Sequence, residues 1–179
     1  MMNLVLAPNT MLENPVKVYD LEQIHPAPIA LDMIDVMKKY GGVGISANQV
    51  GFNGQIFVMK TILNKKYGDP MVVINPQIQG ISRETELGPE GCLSHPGLIL
   101  KVKRPISTVV SFLTLTNDYK DVITVEMKLD DIDARIFLHE YDHLHGIQFI
   151  DRVSRLKVKR AEEKRLKDIK KALKNGRTK

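Results

Sequence analysis

The sequence predicts an α+β domain that carries a basic helical tail. Three observations lead there. Apolar residues recur at helical spacing in three separate stretches, runs rich in β-branched residues lie between the first two, and the positive charge is concentrated in the last stretch. Residues 26–42, PAPIALDMIDVMKKYGG, read as the first helix. Ile29, Met33, Val36 and Met37 share a face, Pro28 suits a first turn, and Gly41 and Gly42 end it. GVGISANQVGFNG (42–54) reads as a glycine-rich loop. QIFVMK (55–60) and MVVINP (71–76) are short strands, the second closed by Pro76. Residues 77–97 are polar and punctuated by glycine and proline. ISTVVSFLTLT (106–116) and DVITVEMK (121–128) form a hairpin across the turn residues TNDYKD. LDDIDARIFLHEYDHLHG (129–146) returns to helical spacing, with acids at its start and Gly146 at its end. IQFID (147–151) is a short apolar run. Val153, Leu156, Ala161, Leu166, Ile169 and Leu173 then mark a basic, weakly amphipathic helix.

The 179 residues suit one domain with a single core. The lone cysteine, Cys92, excludes an internal disulfide and fits a reducing, intracellular setting. No apolar run reaches membrane-spanning length, and the start, MMNLVLAPNTMLENP, lacks the basic region of a signal peptide. The net charge of +5 hides an asymmetry. Residues 1–151 carry 13 Lys+Arg and 18 Asp+Glu, a net of −5. Residues 152–179 carry 13 and 3, a net of +10. The expected organisation is a mildly acidic body, 1–151, and a basic helical tail, 152–179.

The stretch LHEYDHLHG (138–146) concentrates the chemistry. On a helix His139 and His143, four apart, face one side and can hold one divalent metal ion. Glu140 lies beside that ion, placed to take a proton from water without being a ligand. His145 is two from His143 and points elsewhere. Two ligands leave a hydrolytic site one short. Downstream of Gly146 there is no histidine, and the acids are Asp151, Glu162, Glu163 and Asp168, the last three in the basic tail. Upstream stand His25, His95 and Cys92. Cys92, in the glycine-flanked EGCLSHPG, is favoured as the third ligand beside the unfilled pair of histidines.

Three segments, in order, carry a resemblance. GVGISANQ (42–49) resembles the Gly-x-Gly-x-Ala-Ala-x-Gln motif of peptide deformylases. EGCLS (90–94) matches that family's second motif, and HEYDHLHG (139–146) its third. The similarity covers roughly residues 4–151. It implies mixed or antiparallel sheets packed around a central helix that carries the His-Glu-x-x-His motif, with a C-terminal helix beyond. It implies Cys92, His139 and His143 as metal ligands and Glu140 as general base, then general acid. Gln49, through its side-chain amide, and Leu93, through its main-chain N–H, would stabilise the oxyanion. The implied reaction removes formyl from the N-terminal formylmethionine of new polypeptides as formate. The implied metal is Fe²⁺, with Zn²⁺, Ni²⁺ or Co²⁺ able to substitute. Val43, Gly44 and Gly91 match positions that hold an extended peptide. Arg104 matches an arginine that contacts the peptide backbone. Ile132, Arg135 and Ile136, on the His139 face of the helix, would line the methionine pocket, Arg135 through its aliphatic stem.

The chain departs from the family pattern at Ser46, where alanine is usual, at Leu138, where glutamine often precedes the metal-binding histidine, and at Asn9, where aspartate often follows the early proline. A buried Ser46 hydroxyl would need a partner. Asp142 matches the motif without a chemical role that sequence assigns. The basic tail is read either as a solvated face or as a contact to ribosomal RNA. Partners are thus formylmethionyl peptides and, through the tail, the ribosome. A monomer in the cytoplasm of a bacterium or virus-infected host, or in an organelle, is expected. Two other functions compete: a His-Glu-x-x-His peptidase, which would need another third ligand and ignore loss of Cys92, and a non-catalytic RNA- or ribosome-binding module.

Overall fold

The computed structural model describes residues 2–61 and 70–176. Helix α1 (Pro26–Lys39) starts where His25 caps the Ala27 N–H and the prolines fill the first turn. It ends before Gly41, whose φ of +68° lies in the left-handed region. Among the described residues seven strands follow: β1 (Gly44–Ser46), β2 (Ile56–Met59), β3 (Met71–Ile81), β4 (Thr85–Gly91), β5 (Ile99–Pro105), β6 (Ser107–Leu115) and β7 (Val122–Asp130). Helix α2 (Asp131–Leu144) comes next, and α3 (Arg155–Gly176) closes the described chain. The hairpin, the two short strands and all three helices arise where the sequence predicts them.

One sheet runs β1-β2-β3-β6-β7, and β4-β5 form a separate two-stranded ribbon. Every described pairing is antiparallel. Strand β2 explains the layering. Its successive side chains point to opposite faces, and all four are buried. Ile56 and Val58 meet α1 residues such as Ala30, Met33 and Met37. Phe57 and Met59 meet Ala134, Phe137 and Leu144 of α2. Phe57 and Phe137 stack edge to face with centroids 5.2 Å apart. Helix α2 therefore lies against the large sheet on one side. On its other side Arg135 and His139 bond to the β4-β5 ribbon.

Three expectations need correction. The glycine-rich stretch 42–54 is not loop throughout: β1 pairs with β2 from Gly44↔Met59 to Ser46↔Phe57, and Ala47–Val50 form a 3-10 turn. Pro76 does not close its strand. Strand β3 continues to Ile81 because the register shifts between Ile74 and Gln77, which accommodates a residue without an N–H. The polar stretch 77–97 contains all of β4, where Gly88 and Gly91 are strand residues rather than turn residues.

The tail helix does not begin free of the body. Val158 and Ala161 pack with Leu98, Leu100, Val102 and Phe149. Beyond them Leu166, Ile169 and Leu173 are exposed. Among the described residues no helix is long and apolar enough to cross a membrane.

Candidate metal centre

The centre is assembled from four parts of the chain: β1 with its following turn, the end of β4, the residues after it, and α2. Helix α2 presents His139, Glu140 and His143, all buried. Gly146, with φ +71°, turns the chain directly after it; a Cβ there would lie 2.6 Å from the Glu13 carbonyl oxygen, so no side chain fits. Cys92 follows β4 and points its Sγ at His143 Nε2, 3.2 Å away. One donor atom each from Cys92, His139 and His143 lies within 4.8 Å of the others, the only such group of three among the described residues. A thiolate with two imidazoles is a donor set that suits a borderline divalent transition metal ion. The residues present therefore fit the ion that the motif implies.

The outer contacts hold these donors in place. Glu90 Oε2 lies 3.0 Å from His139 Nδ1, which leaves Nε2 to face the other donors. Glu90 also receives Arg104 Nε and Nη2, each at 2.9 Å, and Arg135 Nη1 at 3.0 Å. Burial pushes the Glu90 carboxyl up, but its hydrogen bonds from His139 and Arg104 outweigh this and bring it to about 2. Burial pulls His139 down, yet the contacts with Cys92 and Glu90 lift it to about 10. A cation entering the site requires that proton to leave. Burial, with the positive groups nearby, holds His143 well below its ordinary value, so it is a neutral imidazole. Burial raises the Glu140 carboxyl.

Glu90 is the functional residue that the sequence reading missed. It stood inside EGCLS, but nothing in spacing marks a carboxylate as the anchor of a histidine 49 positions away. Its consequence is measurable. The Glu90 carboxyl sits near 4.5 ordinarily and at about 2 when folded, so its ionised form adds stability above about pH 4.5. That contribution fades as pH falls from about 4.5 towards 2. In metal-free protein, the stability gap between parent and Glu90→Gln is expected to be constant between about pH 5 and 6.5, the ordinary value of the His139 imidazole that Glu90 helps to lift, and to shrink below about pH 5. Urea unfolding across pH checks this; a gap that widens towards acid would contradict it.

Gln49 and Ser46 complete the inner face. The Ser46 N–H donates to Gln49 Oε1 at 2.8 Å, so the Gln49 NH₂ must point the other way. It lies 3.2 Å from Cys92 Sγ and 3.1 Å from Ser94 Oγ. Leu93 follows Cys92, and among the described residues no main-chain carbonyl takes its N–H. Glu140 packs flat against β1, where a Cβ on Gly44 would collide with its carboxylate.

These groups open onto a cavity of about 560 Å³. Val43, Gly44, Gly91, Ile132, Arg135 and Ile136 all line it, as do Gln49, Cys92, Leu93, His139 and Glu140. Arg135 sends its guanidinium onto the ribbon, to the Gly88, Val102 and Glu86 carbonyls as well as Glu90. Arg104 corrects an expectation. It does not line the cavity; it is buried, with its guanidinium shared between Glu90 and Asp142. A guanidinium in the interior is retained only where carboxylates pair it. Asp142 gains a role here too, bridging Arg104 to Arg152 Nε at 3.0 Å and so linking α2 to the chain beyond it. His25 and His145 lie away from the centre, bonded to the Lys120 and Tyr141 carbonyls. His95 lines the cavity but bonds Gln148 Oε1 at 2.7 Å.

A buried Cys-His-His donor set, a carboxylate beside it and an amide donor facing it define a metal-dependent hydrolase. The polypeptide deformylase family profile matches residues 1–159. Peptide deformylase of Thermotoga maritima is 39% identical over 142 residues, 79% of this chain and 80% of that one. The chloroplastic peptide deformylase 1B of Oryza sativa subsp. japonica is 39% identical over 140 residues; the match takes 78% of this chain but spans only 50% of the rice protein. The crystal structure of a peptide deformylase from Synechococcus elongatus, in complex with actinonin, superimposes with a TM-score of 0.77 at 33% identity, covering 92% of this chain and 85% of that one. The chain belongs to the polypeptide deformylase family.

Proposed function

We propose that this site removes the formyl group from N-terminal formylmethionine, with Cys92, His139 and His143 holding the ion. The observation that carries the reading is that Cys92, His139, Glu140 and Gln49 line one cavity, with His143 grouped beside Cys92 and His139 and the Gln49 amide turned towards Cys92 Sγ. When bound, a divalent ion supplies Lewis acidity and lowers the pKa of water towards about 7. Glu140 accepts the proton of the attacking water and then delivers it to the amine nitrogen as the C–N bond breaks, releasing formate. Its burial favours the protonated form and so suits the second half of that task. The Gln49 Nε2–H and the Leu93 N–H donate to the oxygen on which negative charge develops. One such donor typically contributes about 2.7–4 kcal/mol. Ile132, Ile136 and the Arg135 stem supply apolar wall for a methionine side chain. Val43, Gly44 and Gly91 offer main chain to an extended peptide. Arg104 acts at one remove, by fixing Glu90.

The soft thiolate and two imidazoles suit a divalent transition metal ion; the family likeness makes Fe²⁺ the working ion, with Zn²⁺, Ni²⁺ or Co²⁺ as substitutes. The catalytic body, 1–151, acts as a monomer. The basic tail, 152–179, brings it to the ribosome, in bacterial cytoplasm or in an organelle. The exposed, cationic outer part of α3 supports this, since dense positive charge attracts phosphate without sequence specificity. A chain shortened after residue 161 keeps the packed turns of α3 and should lose salt-sensitive co-sedimentation with ribosomes; undiminished co-sedimentation would refute the tail's role. The reaction itself is tested by mass spectrometry of a formyl-Met tripeptide after incubation. Loss of formyl alone supports the proposal, and cleavage of a peptide bond instead would establish a peptidase.

A further inference from the structure

Ser46 stands where the family motif usually has alanine, and it is wholly buried. A hydroxyl sealed from water without a partner costs stability. This one donates to a single residue. Ser46 Oγ lies 2.8 Å from Glu140 Oε2 and 2.9 Å from the Glu140 main-chain oxygen. One hydroxyl proton thus serves the carboxylate and the helix that carries it. Among the described residues no other side chain hydrogen-bonds the Glu140 carboxylate. Gly44, two residues earlier on the same strand, gives the carboxylate its seat, because any Cβ there would overlap it. The main-chain N–H of Ser46 meanwhile holds Gln49 Oε1 at 2.8 Å.

We infer that Ser46 is a positioning residue for the reaction: its hydroxyl orients the Glu140 carboxylate, while its N–H orients the Gln49 amide. This rests on the reading of Glu140 as the proton carrier. The N–H arm survives any substitution except proline, so the side chain isolates the Glu140 arm. Without the hydroxyl, the carboxylate is free to rotate about its last torsion, which is intrinsically soft. The chemical step then slows, because the proton carrier spends less time aimed at the cavity. Peptide binding is unaffected, because the walls that hold the peptide do not include Ser46.

The test uses the full metal-loaded chain and two substitutions, Ser46→Ala and Ser46→Thr. Alanine removes the hydroxyl and a little volume; threonine keeps the hydroxyl and adds a methyl. Metal content and melting temperature are measured alongside kcat and KM for formate release from a formyl-Met peptide. The expected result is a fall in kcat of about tenfold for Ser46→Ala at unchanged KM. Ser46→Thr should lie nearer the parent than Ser46→Ala does. A crystal structure of Ser46→Ala should show the Glu140 carboxylate turned from its parental orientation. Parental kcat in Ser46→Ala, with Glu140 unmoved, would overturn the inference. So would Ser46→Thr performing worse than Ser46→Ala, the order expected if Ser46 only fills space. If the parent released no formate, the proposed function would fail instead, and the orientation of Glu140 in the two crystal structures would still decide the role of Ser46.

Discussion

Glu140→Gln is expected to lower kcat for formate release by about 10²–10⁴-fold, the usual contribution of a positioned acid–base group. Glutamine keeps the size of the side chain and can still accept a hydrogen bond from Ser46, which lies 2.8 Å from Oε2. It cannot take a proton from water or return one to the leaving amine. Because Glu140 lies beside the donor set without belonging to it, metal content should stay at the parental level. KM should change little, since the peptide is held by other residues. The measurement is steady-state formate release with metal analysis on the same sample. A variant that keeps its metal and most of its kcat would remove Glu140 from the mechanism. A variant that loses its metal would show instead that the carboxylate is needed to hold the ion.

Cys92→Ala should act on the ion itself. It removes one of three donors, and the other two cannot close around an ion alone. Loss of an outer partner such as Glu90 typically weakens binding by about 10–100-fold, so loss of a direct ligand should exceed that range. Activity should fall with occupancy, and excess metal should restore little of it. Competition with a chelator measures the affinity. This variant also separates two chemistries that share the His-Glu-x-x-His motif. A peptidase with its third ligand elsewhere would be indifferent to Cys92. Folding should survive, because Cys92 sits at the edge of a small apolar cluster rather than in the main core.

The sequence made the reacting groups legible more readily than the groups that hold them. His139, Glu140 and His143 follow from helical spacing, and Cys92 from its motif, because those constraints are local or shared across the family. Strands β2, β6 and β7 were readable from β-branched runs. The β4-β5 ribbon was not. Gly88 reads as a turn residue, yet a Cβ there would lie 2.7 Å from the Arg135 guanidinium carbon, so the glycine answers a contact 47 positions away. Glu90, Arg104 and Asp142 were similarly opaque. Buried charges are placed by partners distant in sequence, and no periodicity announces them. Arg104 shows the risk of transferring a role by position, since here its guanidinium faces inward. Ser46 shows the reverse. It reads as a departure from a motif, and its hydroxyl touches the one side chain expected to move protons.

The most direct test of the account is a metal titration of the metal-free protein, prepared without oxygen, with formate release from a formyl-Met peptide as the readout. Fe²⁺ or Ni²⁺ is expected to restore activity in proportion to binding, to a plateau at one ion per chain, with the peptide bonds left intact. A folded protein that binds its ion at Cys92, His139 and His143 and yet releases no formate would contradict it.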